Sequence, residues 1–424
     1  MTRGSGVRRL GPAVAAGSAV LVLASCSVPT VVGGGAPARA TQSQAPAAPP
    51  HLTVSPGSNG QGLPLDTPVY VVADSGRLTG VNFQEAGVGT PSGGQLSPDG
   101  HTWHMADGLD SSASYTLTAT ASNGAQTVSS HVSFTTLSAG DRLVTNVFPG
   151  DGSTVGVGEP IDLTFNTSIP DDRKAALLNR IQVTSNPGVM GAWHWFSDRQ
   201  VHFRPQSYWP SGTKVNITAN LKGFDAGNGT WGLGDWAQSF TVGAKHVSLI
   251  DDTTHQMQVY DNDQLINTWP VSMGKPGFPT LEGTLVVLFK VYKVKMNSCS
   301  TFGTSAACVP GGANYYDEDV FYDTAISTNG FFIHAAPWSV YAQGSYDVSH
   351  GCVNLSTDRA ITFYNWSQIG DVVVISHTGN VADITNGEAD WQIPFSQFTN
   401  TPGDSPVFTG NGSGPTGSGV THTY

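Results

Sequence analysis

The chain has 424 residues and a formal charge of −12, with only 12% charged residues but 51 glycines and 26 prolines. At roughly 100–200 residues per domain this predicts about two to four domains, and the turn-rich composition, poor in helix formers, predicts strands rather than helix bundles. The acidic balance leaves no broad cationic face for phosphates and excludes nucleic acid as a partner.

Residues 1–25 read as an export signal. Arg3, Arg8 and Arg9 precede an apolar run from Leu10 to Ala24, shorter than the ~20 residues of a membrane-spanning helix. The run closes on Leu23-Ala24-Ser25-Cys26, which is similar to the bacterial lipobox, where cleavage leaves a lipidated cysteine, here Cys26, as the first mature residue. Ordinary secretion with cleavage after Ala24 is the alternative, and Arg8-Arg9 is a weak twin-arginine signal. Either route takes the mature chain out of the cytoplasm. Loss of the three arginines moves the charge from −12 to −15. A lipid anchor rather than basic residues is therefore expected to hold it on the outer face of the cell membrane, in the cell wall or periplasmic space. Residues 26–50, rich in Ala, Pro, Gly, Ser and Gln, cannot bury a core and form a flexible linker.

Residues 51–138 carry short β-type runs between turn residues, at Pro68–Val72, His101–His104, Ser114–Thr120 and Val128–Thr135. Their alternation predicts a small antiparallel sandwich. Residues 139–243 repeat the pattern, with strands expected at Ile161–Phe165, Gln200–Phe203 and Val215–Ala219. Both units end in a Ser-Phe-Thr strand, around Phe134 and Phe240, which hints at a degenerate tandem repeat. Neither has the Cys…Trp…Cys core of antibody domains. Trp193, Trp195, Trp209 and Trp231 offer either a sugar-stacking surface or core packing, with packing the default.

From residue 244 to 378 the character changes. Strands are expected at Val247–Ile250 and Gln256–Tyr260, followed by Trp269-Pro-Val-Ser-Met-Gly-Lys275 and then Phe332-Ile-His334-Ala-Ala-Pro-Trp338 and Val348-Ser-His-Gly-Cys-Val-Asn-Leu355. Four cysteines are present: Cys26, Cys299, Cys308 and Cys352. With Cys26 assigned to lipid and Cys299 and Cys308 close enough in sequence to close a small loop, Cys352 is the thiol left for chemistry. A thiol with an ordinary pKa of about 8.5 is mostly protonated at neutral pH, so a nucleophile needs an imidazole to favour its thiolate. His334, ending an apolar strand, can supply that base. Gly351 permits unusual dihedrals in the turn presenting Cys352, with main-chain N–H groups for an oxyanion. His350 can bond within the turn or tune the thiol, and Asn354 can hold the loop through its amide. A zinc site from His334, His350 and Cys352 is disfavoured because no carboxylate motif accompanies them. The pattern is an acyl-transfer layout.

The stretch His334 to Asn354 resembles the signature of L,D-transpeptidases, and residues 51 to 400 resemble the mycobacterial type with two immunoglobulin-like domains before the catalytic domain. The resemblance implies a mainly β chain, two immunoglobulin-like sandwiches followed by a catalytic β-sandwich with a hairpin lid at about 295–324. It further implies 3→3 crosslinking of peptidoglycan stem peptides, tetrapeptide donor to acceptor amine, with release of D-alanine, no metal or organic cofactor, and acylation by β-lactams of the carbapenem type. The nucleophile falls on Cys352, the base on His334, and the motif serine, histidine and glycine on Ser349, His350 and Gly351. The imidazole's partner is a main-chain carbonyl, with Ala335 the candidate. Tyr316 falls near the oxyanion site, and Met296, Phe302 and Trp338 on the wall of the donor groove, where Asn354 and Ala335 are also expected. Cys299 and Cys308 depart from the family pattern, and a disulfide-stiffened lid is a hypothesis of this sequence alone. A thiol L,D-carboxypeptidase on the same residues and a non-catalytic wall-binding protein are the alternatives.

Residues 379–400 contain Asp390-Trp391-Gln-Ile-Pro-Phe395 and Phe398, too apolar to stay free, and are expected to pack back on the preceding domains. Residues 401–424, rich in Gly, Ser, Thr and Pro, are expected to be disordered.

Overall fold

A period of two in burial organises most of the chain. Along Ser114–Ser122 the residues Tyr115, Leu117, Ala119 and Ala121 are buried while their neighbours face outward, the pattern of a strand with one face on a core. The computed structural model describes residues 48–88, 93–302, 308–388, 390–402 and 404–410. The export signal, Cys26 and most of the linker lie outside the described residues, as does the side chain of Phe302.

The first sandwich joins a sheet of His51–Ser55, Tyr70–Ser75, Thr102–His104 and Gln95–Leu96 to one of Gly60–Leu63, Thr127–Thr136, Ser114–Ser122 and Arg77–Glu85. Its core is an aromatic stack of Phe83, Tyr115 and Phe134, with Phe83 and Tyr115 centroids 5.1 Å apart. The second sandwich pairs Thr145–Phe148, Ile161–Phe165, Gln200–Pro205 and Met190–Trp195 in one sheet. Ser153–Val155, Trp236–Val242, Lys214–Ala219 and Ile181–Asn186 make the other. The repeat read around Phe134 and Phe240 has a structural counterpart. In each sandwich the last strand runs parallel to a short early strand, with Phe134 opposite Gly60 and Phe240 opposite Ser153. Trp193, Trp195, Trp209 and Trp231 are all at least nine-tenths buried, so the default of packing holds and no sugar-stacking face is formed by them.

The C-terminal segment wraps the second sandwich. Trp391 Nε1 donates to the Gly158 carbonyl at 2.8 Å, and the Arg204 guanidinium lies 4.4 Å from the Phe398 ring centroid and 4.6 Å from that of Trp391. The expected disorder from residue 401 does not hold for 404–410. Val407–Phe408 adds a fifth strand to the sheet edge at Met190–Gly191, and Thr409 bonds Ser185 and Val189. Its Gly/Pro-rich composition concealed two apolar residues sufficient to cover an otherwise unpaired edge.

The third region packs two sheets face to face. One runs Gln264–Pro270, Gln256–Asp261, His246–Asp251, Val372–Ser376, Gly283–Val286, and the other Phe289–Asn297, Asp317–Ala325, Phe332–Ala335, Val353–Leu355. Ile333, Ala335, Val353 and Leu355 point into the shared core with Met257, Val259, Val373 and Phe363 of the helix Thr357–Trp366. Each of the larger of these side chains favours burial by about 1.5–3 kcal/mol, and a one-residue slip would expose them all. The alternate residues of these two strands are thereby turned to the opposite face. Among the described residues, no helix is long and apolar enough to cross a membrane.

Candidate active site

The two short strands Phe332–Ala335 and Val353–Leu355 are parallel, with His334 opposite Asn354 and Ile333 opposite Val353. Because core packing fixes Ile333 and Val353 inward, His334 and Asn354 share the outer face, and Cys352, one residue before the strand, joins them there. That face floors a groove of about 740 Å³, lined by Cys352, His334 and Asn354 and walled by Met296, Tyr316 and Trp338.

His334 is buried, and its Nδ1 lies 3.0 Å from the carbonyl oxygen of Ala335. A carbonyl can only accept, so Nδ1 carries the hydrogen and Nε2 presents a lone pair. Burial drives the imidazole down to about 4, and the Ala335 carbonyl offsets this only partly. Cys352 keeps some surface open to the groove, yet burial of its thiol pushes it up to about 12, against a hydrogen bond from the Phe332 main chain that favours thiolate. A neighbouring imidazole therefore does not by itself give a resting thiolate: burial disfavours the charged form of both groups, and neither is close to a charge that repays its desolvation.

The turn before Cys352 is held from several sides. The Ser349 hydroxyl donates to the Cys352 carbonyl at 2.7 Å and accepts from the Gly351 N–H at 3.0 Å. In this arrangement Ser349 shapes the turn, and its expected catalytic part is reduced to that. Gly351 has φ +125°, and a Cβ there would stand 2.6 Å from the Phe331 ring, so both conformation and space require glycine. The His350 ring lies between Phe278 and Tyr316, each centroid 4.8 Å away, and its own pKa falls to about 4 through burial and the nearby Lys275. Tyr316 donates to Thr301 at 3.2 Å. Asn354 Nδ2 donates to Ser339 Oγ at 3.0 Å. Ala335 departs from the expectation of a substrate contact: its side chain belongs to the core, and only its carbonyl serves the site. Cys299 and Cys308 are joined in a disulfide at the base of the segment linking the lid strands.

Residues 245–375 match the family described as the L,D-transpeptidase catalytic domain, and residues 60–225 match a bacterial Ig domain. L,D-transpeptidase 2 of Mycobacterium tuberculosis (strain CDC 1551 / Oshkosh) is 37% identical over 350 residues, covering 82% of this chain and 84% of that protein. The chain belongs to the L,D-transpeptidase family. L,D-transpeptidase 5 of Mycobacterium tuberculosis (strain ATCC 25618 / H37Rv) is 28% identical over 82% of this chain and 76% of its own. Among solved structures, an L,D-transpeptidase in complex with imipenem is 28% identical with a TM-score of 0.47, covering 56% of this chain and 99% of that one. L,D-transpeptidase 3 from Mycobacterium tuberculosis with a faropenem-derived adduct is 27% identical with a TM-score of 0.46, covering 57% and 100%.

Several residues that sequence reasoning passed over complete the transpeptidase site. The segment Val271–Lys275, read without a role, is stitched to the cysteine turn. Ser272 bridges Asn354, Gly274 bridges Ser349, and the Lys275 N–H donates to the Ser349 carbonyl at 3.0 Å. Asp347 accepts from the Met273 N–H at 2.6 Å. The one available signal was compositional: Ser-Met-Gly-Lys follows an apolar strand with a glycine, and Gly274 admits no Cβ, which would fall 2.0 Å from the Phe278 carbonyl oxygen.

Proposed function

We propose that the protein is a peptidoglycan L,D-transpeptidase that forms 3→3 crosslinks between diaminopimelate residues of neighbouring stem peptides through a thioester on Cys352. The observation that carries this reading is a cysteine and a neutral, carbonyl-tethered imidazole on one face of one groove, with Nε2 oriented to accept a proton. Since thiol and imidazole are both neutral at rest, proton transfer accompanies attack rather than preceding it. The Cys352 sulfur bonds to the carbonyl carbon at the L-centre of the donor diaminopimelate while Nε2 of His334 takes the thiol proton. Collapse of the tetrahedral intermediate breaks the bond to D-alanine, whose amine leaves with that proton, and a thioester remains. The side-chain amine of an acceptor stem then attacks the thioester, gives its proton to His334, and the thiol is restored. The lid strands Phe289–Asn297 and Asp317–Ala325 would keep water from competing at the thioester stage. No step calls on a metal or organic cofactor. The same sulfur and base suit ring-opening acylation by carbapenem-type β-lactams, and lipid on Cys26 would keep the enzyme on the outer face of the membrane with the tandem sandwiches setting its reach.

Incubating the mature protein with a tetrapeptide disaccharide and weighing the products tests this. A crosslinked dimer with released D-alanine is expected. Tripeptide alone would identify the L,D-carboxypeptidase, and an unchanged substrate the non-catalytic protein. Cys352→Ala is expected to abolish both the dimer and the imipenem adduct without changing the melting temperature by more than a degree or two.

A further inference from the structure

We infer that Asp323 is a positioning residue for the acyl transfer, a buried carboxyl behind the nucleophile whose charge state sets how readily the Cys352 thiol ionises. The inference rests on the assignment of Cys352 as nucleophile. Asp323 lies on the lid strand Asp317–Ala325, at the point where that strand loses register with Phe332–Ala335. Phe321 faces Ala335 and Thr324 faces Ile333, so an extra residue is accommodated between them. Tyr322, at φ +57°, absorbs the irregularity in a left-handed conformation that a tyrosine rarely adopts. Beyond the bulge Ala325 is opposite Phe332, and Phe332 precedes Ile333 as Cys352 precedes Val353. Asp323, two residues from Ala325, is thus turned to the face that carries Phe332, His334 and Cys352.

There the carboxyl is wholly buried, and among the described residues no side chain hydrogen-bonds either oxygen. An ionised carboxylate so placed is costly, and a proton is the cheapest way to relieve it. Burial accordingly carries the group up to about 7, offset in part by the Val294 main chain, and its charge in turn raises the Cys352 thiol. The surrounding charged groups do not intervene. On the neighbouring strand Phe289–Asn297, the Lys290 ammonium is committed to the carbonyls of Tyr364 and Ser367, while Lys293 and Lys295 pair with Asp319 and Asp317. The helix Thr357–Trp366 brings Asp358 and Arg359, and neither acts on Asp323. The groove on that face also carries His334 and His350, both neutral across this range, Tyr316, whose hydroxyl burial keeps protonated, and the side chains of Lys275 and Glu318, and none of them acts on Asp323. Below neutrality Asp323 holds its proton and leaves Cys352 unopposed. Above it, an uncompensated negative charge stands behind the sulfur and opposes both thiolate and the developing oxyanion.

Alkylation of the mature protein by iodoacetamide, read at Cys352 by peptide mass from pH 5.5 to 9, tests the coupling without any wall peptide or β-lactam. For Asp323→Asn the logarithm of the rate is expected to rise with pH along one straight line. For the wild type it should flatten on crossing pH 7 and then run parallel, severalfold below the variant at pH 8.5 and equal to it at pH 6. Asp323→Ala should behave as Asp323→Asn, and the wild-type bend is measurable without any variant. A straight wild-type line through pH 7, or a bend retained in both variants, overturns the inference. Parallel acylation by imipenem separates the two readings. No adduct in wild type at any pH would defeat Cys352 as nucleophile, whereas adducts with the same pH profile in wild type and Asp323→Asn would defeat only the role of Asp323.

Discussion

His334 in the groove and His202 under the C-terminal segment are both only 3% exposed, yet they lie on opposite sides of the ordinary histidine value. His334 meets one carbonyl and falls to about 4. Burial would lower His202 as well, but Asp390, Glu388 and Asp162 outweigh it and raise the ring to about 9. Its Nδ1 stands 3.0 Å from Asp390 and 3.3 Å from Glu388, and Nε2 is 3.5 Å from Asp162. Depth alone therefore does not decide whether an imidazole is a base or a cation; the neighbours do. The groove pairs its histidine with a carbonyl and no carboxylate, so that it can take a proton during the reaction, while the seam between the second sandwich and the C-terminal segment uses one charged at neutral pH as a clasp.

The sharpest way to break this contrast is to remove each ring in turn. His334→Gln is expected to slow acylation by imipenem by about 10²–10⁴-fold, the usual contribution of a general base, with little change in thermal stability. His202→Gln should do the reverse. Losing a buried cation leaves Asp390 and its neighbours uncompensated, at a cost of about 3–5 kcal/mol, while the rate of acylation at 25 °C stays within twofold of wild type. Calorimetry and the acylation assay on the same two proteins read both effects. If His334→Gln destabilised and His202→Gln inactivated, the assignment of roles would be reversed.

The same contrast gives a pH dependence. The folded His202 binds its proton more tightly than an unfolded histidine, whose ordinary value is 6.5. Between pH 6.5 and 9 the folded state holds more protons, so stability is fully present below 6.5 and falls as pH rises through 9, by on the order of 3 kcal/mol. Glu388, pushed up to about 8 by burial, loses its proton in an overlapping range and steepens the fall. The melting temperature of wild type should decline from pH 6.5 to 9, and the decline should be shallower in His202→Gln. An equal slope in both would remove His202 from the account.

What could be read from residues alone follows the range of the interactions. The strand Ile161–Phe165 was predicted with its observed bounds, because alternation is local and its residues alternate without interruption. His334 and the turn at Ser349–Cys352 were legible because one strand pair brings them together across a short stretch of chain. The clasp was not: His202 and Asp390 are 188 residues apart, and nothing near either announces the other. Asp323 was hidden differently. It follows Asp317, Glu318 and Asp319 in a run that reads as a solvated hairpin, and only the bulge at Tyr322 turns it inward. The protonation of the thiol was not legible for the same reason, since desolvation is set by what the fold places around a group, and composition does not contain it.

Gly351 offers the smallest but most local test of how the groove differs from the seam. The seam depends on charge and tolerates any backbone that delivers it, whereas the groove depends on a backbone conformation that delivers Cys352 to His334. Gly351→Ala adds one methyl group, leaves every titratable group in place, and forces either a strained φ of +125° or a shift away from Phe331. The strain costs about 1–3 kcal/mol, and the relaxation that relieves it moves the sulfur. The expected result is a fall of about tenfold in acylation by imipenem, since displacement of a reacting atom by about 1 Å costs up to 10²-fold, with the pH dependence of melting unchanged because His202 is untouched. Should Gly351→Ala acylate at the wild-type rate, the turn would not be what aligns thiol and base, and the hydrogen bonds from Ser349 would have to carry the alignment alone.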